Sequence, residues 1–275
     1  MERLIKEALS LGIDPETYLR EVFQKLILYS YVINNLGSYY VFQGGTALRL
    51  FYNSPRFSLD MDFSLINRSL TKAMEDSTKV LNTLSHILAP YKVEVSKSRE
   101  KALFEENFYR FFYTFNTLGI IRRKIRIKLE IAERNYMNVS FSRKILALEF
   151  PIHTSIGLIV KSPAQLLCDK VTSLAGGFHR GYIRWRDIFD IYWLKTKINA
   201  RIDSNYLKQE FGSYIETKED LEKLVSKLKA LSGKELGEAS RDLGRVLPSS
   251  LLDEKLLAEY IGDAIKVLEE AIREL

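Results

Sequence analysis

The sequence predicts an α+β protein, with a mixed β-sheet in its N-terminal part and helices in its C-terminal part. Three observations carry this. In residues 121–132, Ile125, Ile127, Leu129 and Ile131 alternate with Lys124, Arg126, Lys128 and Glu130, the period of a strand with one buried face. Gly44-Gly45 separates the β-prone Tyr40-Val41-Phe42 from a helical spacing over Ala47 to Tyr52. From residue 200 onward the apolar residues recur at helical intervals, as amphipathic helices require. The expected division is an α/β domain over 1–160 and a helical domain over 161–275, joined without a Gly/Ser linker.

Residues 2–36 read as two helices. Asp14-Pro15-Glu16 starts the second, with Asp14 as N-cap and Pro15 in the first turn. Leu19, Val22, Phe23, Leu26, Ile27 and Tyr31 form its apolar face, and Asn34, Asn35 and Gly37 end it. A strand over 40–42, a glycine turn, a helix capped by Thr46 and a strand through Asp60 and Asp62 follow. Residues 70–88 carry a buried helical stripe stopped by Pro90. Strands are expected at 91–97, 107–116 and 121–132, the last two joined by a hairpin turn over Asn116-Thr117-Leu118-Gly119. Residues 138–160 read as irregular strands broken at Pro151. Ser162-Pro163 opens a helix ended by Gly176-Gly177. A basic loop through His179 and Arg180 leads to a helix over 184–195, and further amphipathic helices cover 217–231 and 253–272.

The chain of 275 residues, 46% hydrophobic and 28% charged, has the balance of a water-exposed globular protein. A net charge of +6 mildly favours an anionic partner. The lone Cys168 excludes an internal disulfide and, in an apolar helical run, reads as a buried thiol. The three histidines are dispersed and lack zinc-ligand spacing. Residues 1–12 form no secretory signal, and no run is long and apolar enough to span a bilayer, so a cytoplasmic location is expected. Asn138-Val139-Ser140 fits a glycosylation pattern that a cytoplasmic protein would not use. The phenylalanines and tyrosines, 15 of each, follow strand and helix periods and read as core; no base-stacking platform is expected from them.

The chemistry concentrates in Tyr40 to Leu65. Glycines let the backbone approach a ligand, and a following helix N-terminus offers N–H groups to an anion. In Arg56-x-Ser58-x-Asp60-x-Asp62, the two aspartates share one strand face, backed by Leu59, Met61 and Phe63. Paired carboxylates suit a hard divalent cation such as Mg²⁺. The polar face of 121–132 is either a solvated surface, or Glu130 joins Asp60 and Asp62 while its cations guide a polyanion towards them.

The segment Gly44-Gly45-Thr46-Ala47-Leu48-Arg49-Leu50, followed by Arg56-x-Ser58-x-Asp60-x-Asp62-Phe63, resembles the nucleotidyltransferase superfamily. With a second block of Lys170, Arg180 and Arg186-Asp187-x-x-Asp190-Ile191-Tyr192, the chain is similar to the AbiEii/AbiGii toxin family, whose relatives include the MenT toxins. The resemblance covers roughly residues 38–195.

It implies a two-lobed nucleotidyltransferase-like fold and a Mg²⁺- or Mn²⁺-dependent transfer of a nucleoside monophosphate from a nucleoside triphosphate to an acceptor. The acceptor implied is RNA, tRNA in particular, and the toxin would have a cognate antitoxin. Asp60 and Asp62 would hold the metal; Glu130 would join them for a second ion or act as base. Gly44, Gly45 and Thr46 would cradle phosphates, Arg56 and Ser58 would touch phosphate or secure the turn, and Lys170 would neutralise the triphosphate, facing the aspartates across a groove. Asp187 is open between orienting Lys170 and contacting nucleotide or acceptor. Asp190 reads equally as a surface partner of Arg186 or Lys195. Transfer to a protein or small molecule, and a nucleotide- or RNA-binding module without chemistry, are the alternatives.

Overall fold

The computed structural model describes residues 1–134, 139–213 and 217–275; Asn138 of the glycosylation pattern lies outside them. The chain separates into two compact units. Unit 1 comprises Met1–Phe51, Ser58–Tyr136 and Phe141–Val160, and unit 2 comprises Tyr52–Phe57, Met137–Ser140 and Lys161–Leu275.

Unit 1 begins with α1 (Glu2–Ser10) and α2 (Pro15–Ile33). Asp14 caps α2 by accepting a hydrogen bond from the Thr17 N–H at 2.9 Å. Next come β1 (Tyr40–Gln43), α3 (Gly44–Phe51), β2 (Asp60–Leu65) and α4 (Leu70–Leu88), then β3 (Glu94–Leu103), β4 (Phe108–Asn116), the single turn α5 (Leu118–Ile121), β5 (Lys124–Glu133), β6 (Phe141–Leu148) and β7 (Thr154–Lys161). Among the described residues these strands form one seven-stranded sheet in the order β3-β4-β5-β2-β1-β7-β6. It is mixed: β2 runs parallel to β5 and β1 to β7, while the pairs β1–β2, β3–β4 and β4–β5 are antiparallel.

The alternation along β4 and β5 sorts their side chains cleanly. Tyr109, Phe111, Tyr113 and Phe115, with Ile125, Ile127, Leu129 and Ile131, are fully buried and lie on the sheet face that α2 and α4 cover. Phe23 of α2 stacks on Phe115 at 4.3 Å. The other face carries Phe108, Arg110 and Phe112 with Lys124, Arg126 and Lys128, and is partly exposed.

Several local expectations differ from what is seen: β3 covers Glu94–Leu103 rather than 91–97, and the stretch expected as irregular strands holds the regular β6 and β7. Helix α3 starts at Gly44 rather than after Thr46; the Thr46 hydroxyl turns away from the helix end and donates to the Asp60 carbonyl. The link from β4 to β5 is the helical turn α5, not a two-residue hairpin. The helix that opens at Ser162-Pro163 runs through Gly176 and Gly177.

That helix is α6 (Pro163–His179), the first of unit 2, and Ser162 caps it. Gly177 is needed there for closeness rather than termination: a Cβ on it would lie 2.7 Å from Cγ of Arg184. Helix α7 (Trp185–Tyr192), α8 (Ser204–Ser213), α9 (Lys218–Lys229), α10 (Gly233–Leu243) and α11 (Glu254–Glu274) follow. A reciprocal capping box between Thr217 and Asp220 starts α9. Leu221, Leu224 and Leu228 of α9 and Leu257, Ala264 and Leu268 of α11 are buried, and Tyr260 packs edge-on against Phe189 of α7 at 5.1 Å. The thiol of Cys168 is buried, which pushes its pKa up to about 12.

Candidate functional site

Within unit 1 the site grows from the sheet register. Asp60 and Asp62 alternate with Met61 and Phe63, so the apolar pair is buried and the two carboxylates emerge on the partly exposed face. Gln43, the last residue of β1, pairs with Asp62. On the other side of β2, Asp60 lies beside Lys128 and Asp62 beside Glu130 of β5. Arg110 of β4 in turn pairs with Glu130. One cross-strand row thus reads Gln43, Asp62, Glu130, Arg110.

Cations thread the carboxylates. Nζ of Lys128 lies 3.0 Å from Asp60 Oδ2 and 3.2 Å from Glu130 Oε2. Arg110 donates to Glu130 Oε1 from Nε at 2.7 Å, and its second guanidinium nitrogen lies equally close. Burial acts to lower the pKa of Lys128, but the charges of Asp60 and Glu130 outweigh it and hold the ammonium above its ordinary range. Among the described residues no group of three His, Cys, Asp or Glu side chains is set to hold a metal ion; Lys128 stands between two of the candidate ligands.

The glycine turn meets the acid pair directly. Gly44 has φ +77°, and a Cβ there would fall 2.0 Å from Asp62 Oδ2. Both the backbone conformation and the space therefore demand glycine. Asp62 lies against the first turn of α3, and the bond from Thr46 to the Asp60 carbonyl ties that turn to β2. The Ser58 carbonyl accepts from Gln24 Nε2 at 2.9 Å, anchoring the approach to β2. A cavity of about 300 Å³ elsewhere in unit 1, bordered by Arg3, Glu7, Tyr18 and Phe150, contains none of these residues.

Unit 2 holds the other candidates in a buried ionic chain. Arg56 donates from Nε and a terminal nitrogen to the two oxygens of Asp190, each at 2.7 Å. Lys170 Nζ lies 2.9 Å from Asp190 Oδ2 and 2.9 Å from Asp187 Oδ1. Asp187 also accepts from Ser173 Oγ at 2.9 Å and from Arg184 Nε at 2.5 Å. All of Arg56, Lys170, Asp187 and Asp190 are buried. Burial would raise both aspartate pKa values, but Lys170 and Arg184 at Asp187, and Arg56 and Lys170 at Asp190, hold them below the ordinary range. Burial would lower that of Lys170; Asp187 and Asp190 raise it instead.

Asp190 is therefore not the surface partner of Arg186 or Lys195. Arg186 lies 3.5 Å from Asp242 and Lys195 3.0 Å from Glu270. Arg180 sits in its loop with its guanidinium 5.9 Å from the Tyr182 ring centre. The structure thus gathers Gly44, Gly45, Thr46, Asp60, Asp62 and Glu130 in unit 1, and Arg56, Lys170 and Asp187 in unit 2. The bridging roles of Lys128, Arg110 and Arg184 escape sequence reasoning. The alternation over 121–132 places Lys128 on the polar face, but only the β2–β5 register puts it beside Asp60.

Comparison with known proteins follows the same lines. Residues 26–268 match the family model described as nucleotidyl transferase AbiEii toxin of a type IV toxin–antitoxin system. None of the curated proteins matches the chain in sequence. The crystal structure of JHP933 from Helicobacter pylori superposes with a TM-score of 0.53 at 17% identity, covering 94% of each chain. A structure from H. pylori described as a candidate nucleotidyltransferase gives 0.54 at 17% identity, covering 95% of this chain and 98% of its own. At that identity the likeness is one of fold.

Proposed function

The chain belongs to the AbiEii family of nucleotidyl transferase toxins, and from that premise we propose that it moves a nucleoside monophosphate from a nucleoside triphosphate to the end of an RNA acceptor, tRNA, with Mg²⁺ or Mn²⁺ held by Asp60 and Asp62. One arrangement in unit 1 supports this reading: the first turn of α3 lies against an acid pair on the adjoining strand, with glycine at the point of contact. The donor set fits a hard divalent ion, being carboxylate oxygen alone. When bound, the ion would supply Lewis-acid stabilisation of charge on the phosphate oxygens.

The chain's own groups divide the remaining work. The N–H groups of Gly44, Gly45 and Thr46 head a helix, where an anion is favoured. The acceptor hydroxyl attacks the α-phosphorus; the new P–O bond forms as the bond to the bridging oxygen breaks and pyrophosphate leaves. Glu130 takes the hydroxyl proton or helps to hold a second ion, and in either role exchanges its bonds to Arg110 and Lys128. Within unit 2, Lys170 and Asp187 receive a positioning role: with Arg56 and Asp190 they fix α6, α7 and the segment through Arg56. The family's toxins act in toxin–antitoxin pairs, so an antitoxin is the expected partner. Among the described residues no helix is long and apolar enough to cross a membrane.

The test is incubation with each labelled triphosphate, Mg²⁺ or Mn²⁺, and total tRNA, beside Asp60→Asn. Label on tRNA that vanishes with Asp60→Asn is the expected result. Folded protein that labels no acceptor sinks the proposal, and label on protein or a small molecule moves the acceptor elsewhere. The bridge of Lys128 between Asp60 and Glu130 favours a second reading, a nucleotide- or RNA-binding module without chemistry; triphosphate binding without turnover would be its signature.

A further inference from the structure

The sheet face that carries Asp60 and Asp62 continues away from them across β5, β4 and β3, and its composition changes along the way. Across the strands the register gives Asp60, Lys128, Phe112, Ser98 in one row and Asp62, Glu130, Arg110, Lys101 in the next. Arg126 pairs with Thr114 beyond the first row, and Phe108 follows Arg110 along β4. Acid therefore gathers at Asp60 and Asp62 of β2 and the adjoining Glu130 of β5, and around and beyond them lie Arg99, Lys101, Arg110, Lys124, Arg126 and Lys128. Glu94 is a carboxylate at the far corner, accepting from Asn116 at 3.4 Å.

Two aromatic rings stand among these cations. Phe108 and Phe112 share the face of Arg110 by the period of the strand, opposite the fully buried Tyr109, Phe111 and Tyr113. Both rings are part-exposed. The guanidinium of Arg110 lies 5.2 Å from the Phe108 ring centre and that of Arg99 5.8 Å from that of Phe112. Arg99 reaches that ring from a break in the β3–β4 register between Ser98 and Lys101. Arg99, Lys101, Lys124 and Arg126 are exposed.

We propose that this face binds the unpaired end of the RNA acceptor, with bases stacking on Phe112 and Phe108 and phosphates taken by Arg99, Lys101, Lys124 and Arg126. Rings interleaved with cations on a sheet suit unpaired nucleotides, whose bases have open π-faces and whose backbone is anionic. A duplex offers only phosphates to such a surface, its base faces being stacked on one another. Phe112 is two strands from Asp60 in the same row, about 10 Å at ordinary strand spacing, so one strand end can touch both. The choice of RNA and the place of its end rest on the transferase reading; the stacking surface rests on the geometry alone.

The full chain is titrated, without triphosphate, against a short fluorescent unpaired RNA and against the same RNA annealed to its complement, with anisotropy as the readout. Phe112→Ala and Phe108→Ala should each weaken binding of the unpaired strand roughly tenfold, Phe112→Trp should retain it, and the duplex should bind more weakly than the single strand. Thermal melting checks that the alanine variants remain folded. Unchanged affinity in folded Phe112→Ala, or equal affinity for duplex and single strand, overturns the proposal. Loss of label transfer to every acceptor with the Phe112 effect intact sinks the transferase reading and leaves the stacking surface standing. Label transfer to RNA with no Phe112 effect does the reverse.

Discussion

Arg56 and Asp190 form a buried two-pronged ion pair, with Nε and a terminal guanidinium nitrogen each 2.7 Å from a separate carboxylate oxygen. Asp190 is fully buried and Arg56 nearly so. Arg56 follows α3 in sequence by only a few residues, yet it belongs to unit 2 and is held there. Its charge is therefore spent on structure. Removing Asp190 leaves both Arg56 and Lys170 short of a counter-charge. Asp190→Ala should cost about 3–5 kcal/mol of stability, read from urea unfolding followed by circular dichroism. Arg56→Lys, which cannot make the two-pronged contact, should destabilise in the same direction by less. A loss below about 1 kcal/mol for Asp190→Ala would show that the cluster is not the brace described.

Acid should undo the same cluster. The pKa values of Asp187 and Asp190 are depressed in the folded chain, chiefly by Lys170, Arg184 and Arg56 acting against burial. Their contribution is complete above the unfolded carboxylate pKa of about 3.9 and is lost as pH falls from there towards the lower folded values. Lys170 is shifted the other way, upward, so its share is intact below about 10.4, the unfolded lysine value, and fades only in strong base. Unfolding free energy should therefore decline from about pH 5 downward. In Asp187→Asn the decline should be shallower from a lower plateau. A variant with the unchanged acid slope would remove Asp187 from the account.

Gly44 is irreplaceable for two separable reasons, and alanine tests both. The positive φ costs a residue with a Cβ about 1–2 kcal/mol, and the methyl group would collide with Asp62 Oδ2. Gly44→Ala should lower the thermal midpoint and displace Asp62, reducing label transfer roughly a hundredfold or more, since small misplacements at a reacting centre have large effects. Transfer at the wild-type rate in Gly44→Ala would mean that Asp62 does not need its observed place.

Local rules made several elements legible. Asp14-Pro15 and Ser162-Pro163 mark two helix starts because capping and proline chemistry act over a few residues. The shared face of Asp60 and Asp62 follows from the period of a strand. What distant register decides was not legible. β2 and β5 are adjacent although α4, β3, β4 and α5 lie between them in sequence, so nothing local announces that Lys128 will sit beside Asp60. The start of α3 differs from the expectation because Gly44-Gly45 reads as a turn by composition, whereas in the fold it is the first turn of a helix packed against Asp62. Phe108 and Phe112 read as core by composition with their neighbours, although alternation alone puts them on the opposite face from Tyr109, Phe111 and Tyr113.

Lys128 offers the sharpest handle on the acid cluster. Its ammonium lies within 3.2 Å of both Asp60 and Glu130, where it neutralises carboxylates that a divalent ion would also claim. An ion entering the site must compete with it, and opposite charges at such separations interact by several kcal/mol at a protein surface. Lys128→Met keeps the length and apolar stem of the side chain and removes the charge. Mn²⁺ binding, followed by electron paramagnetic resonance or calorimetry, should tighten roughly tenfold, and Glu130 should become available as a further ligand beside Asp60 and Asp62. Asp60→Asn on the Lys128→Met background should reverse the gain, since it removes one of the two acids the ion needs. Equal Mn²⁺ affinity with and without Lys128 would place the metal away from this cluster.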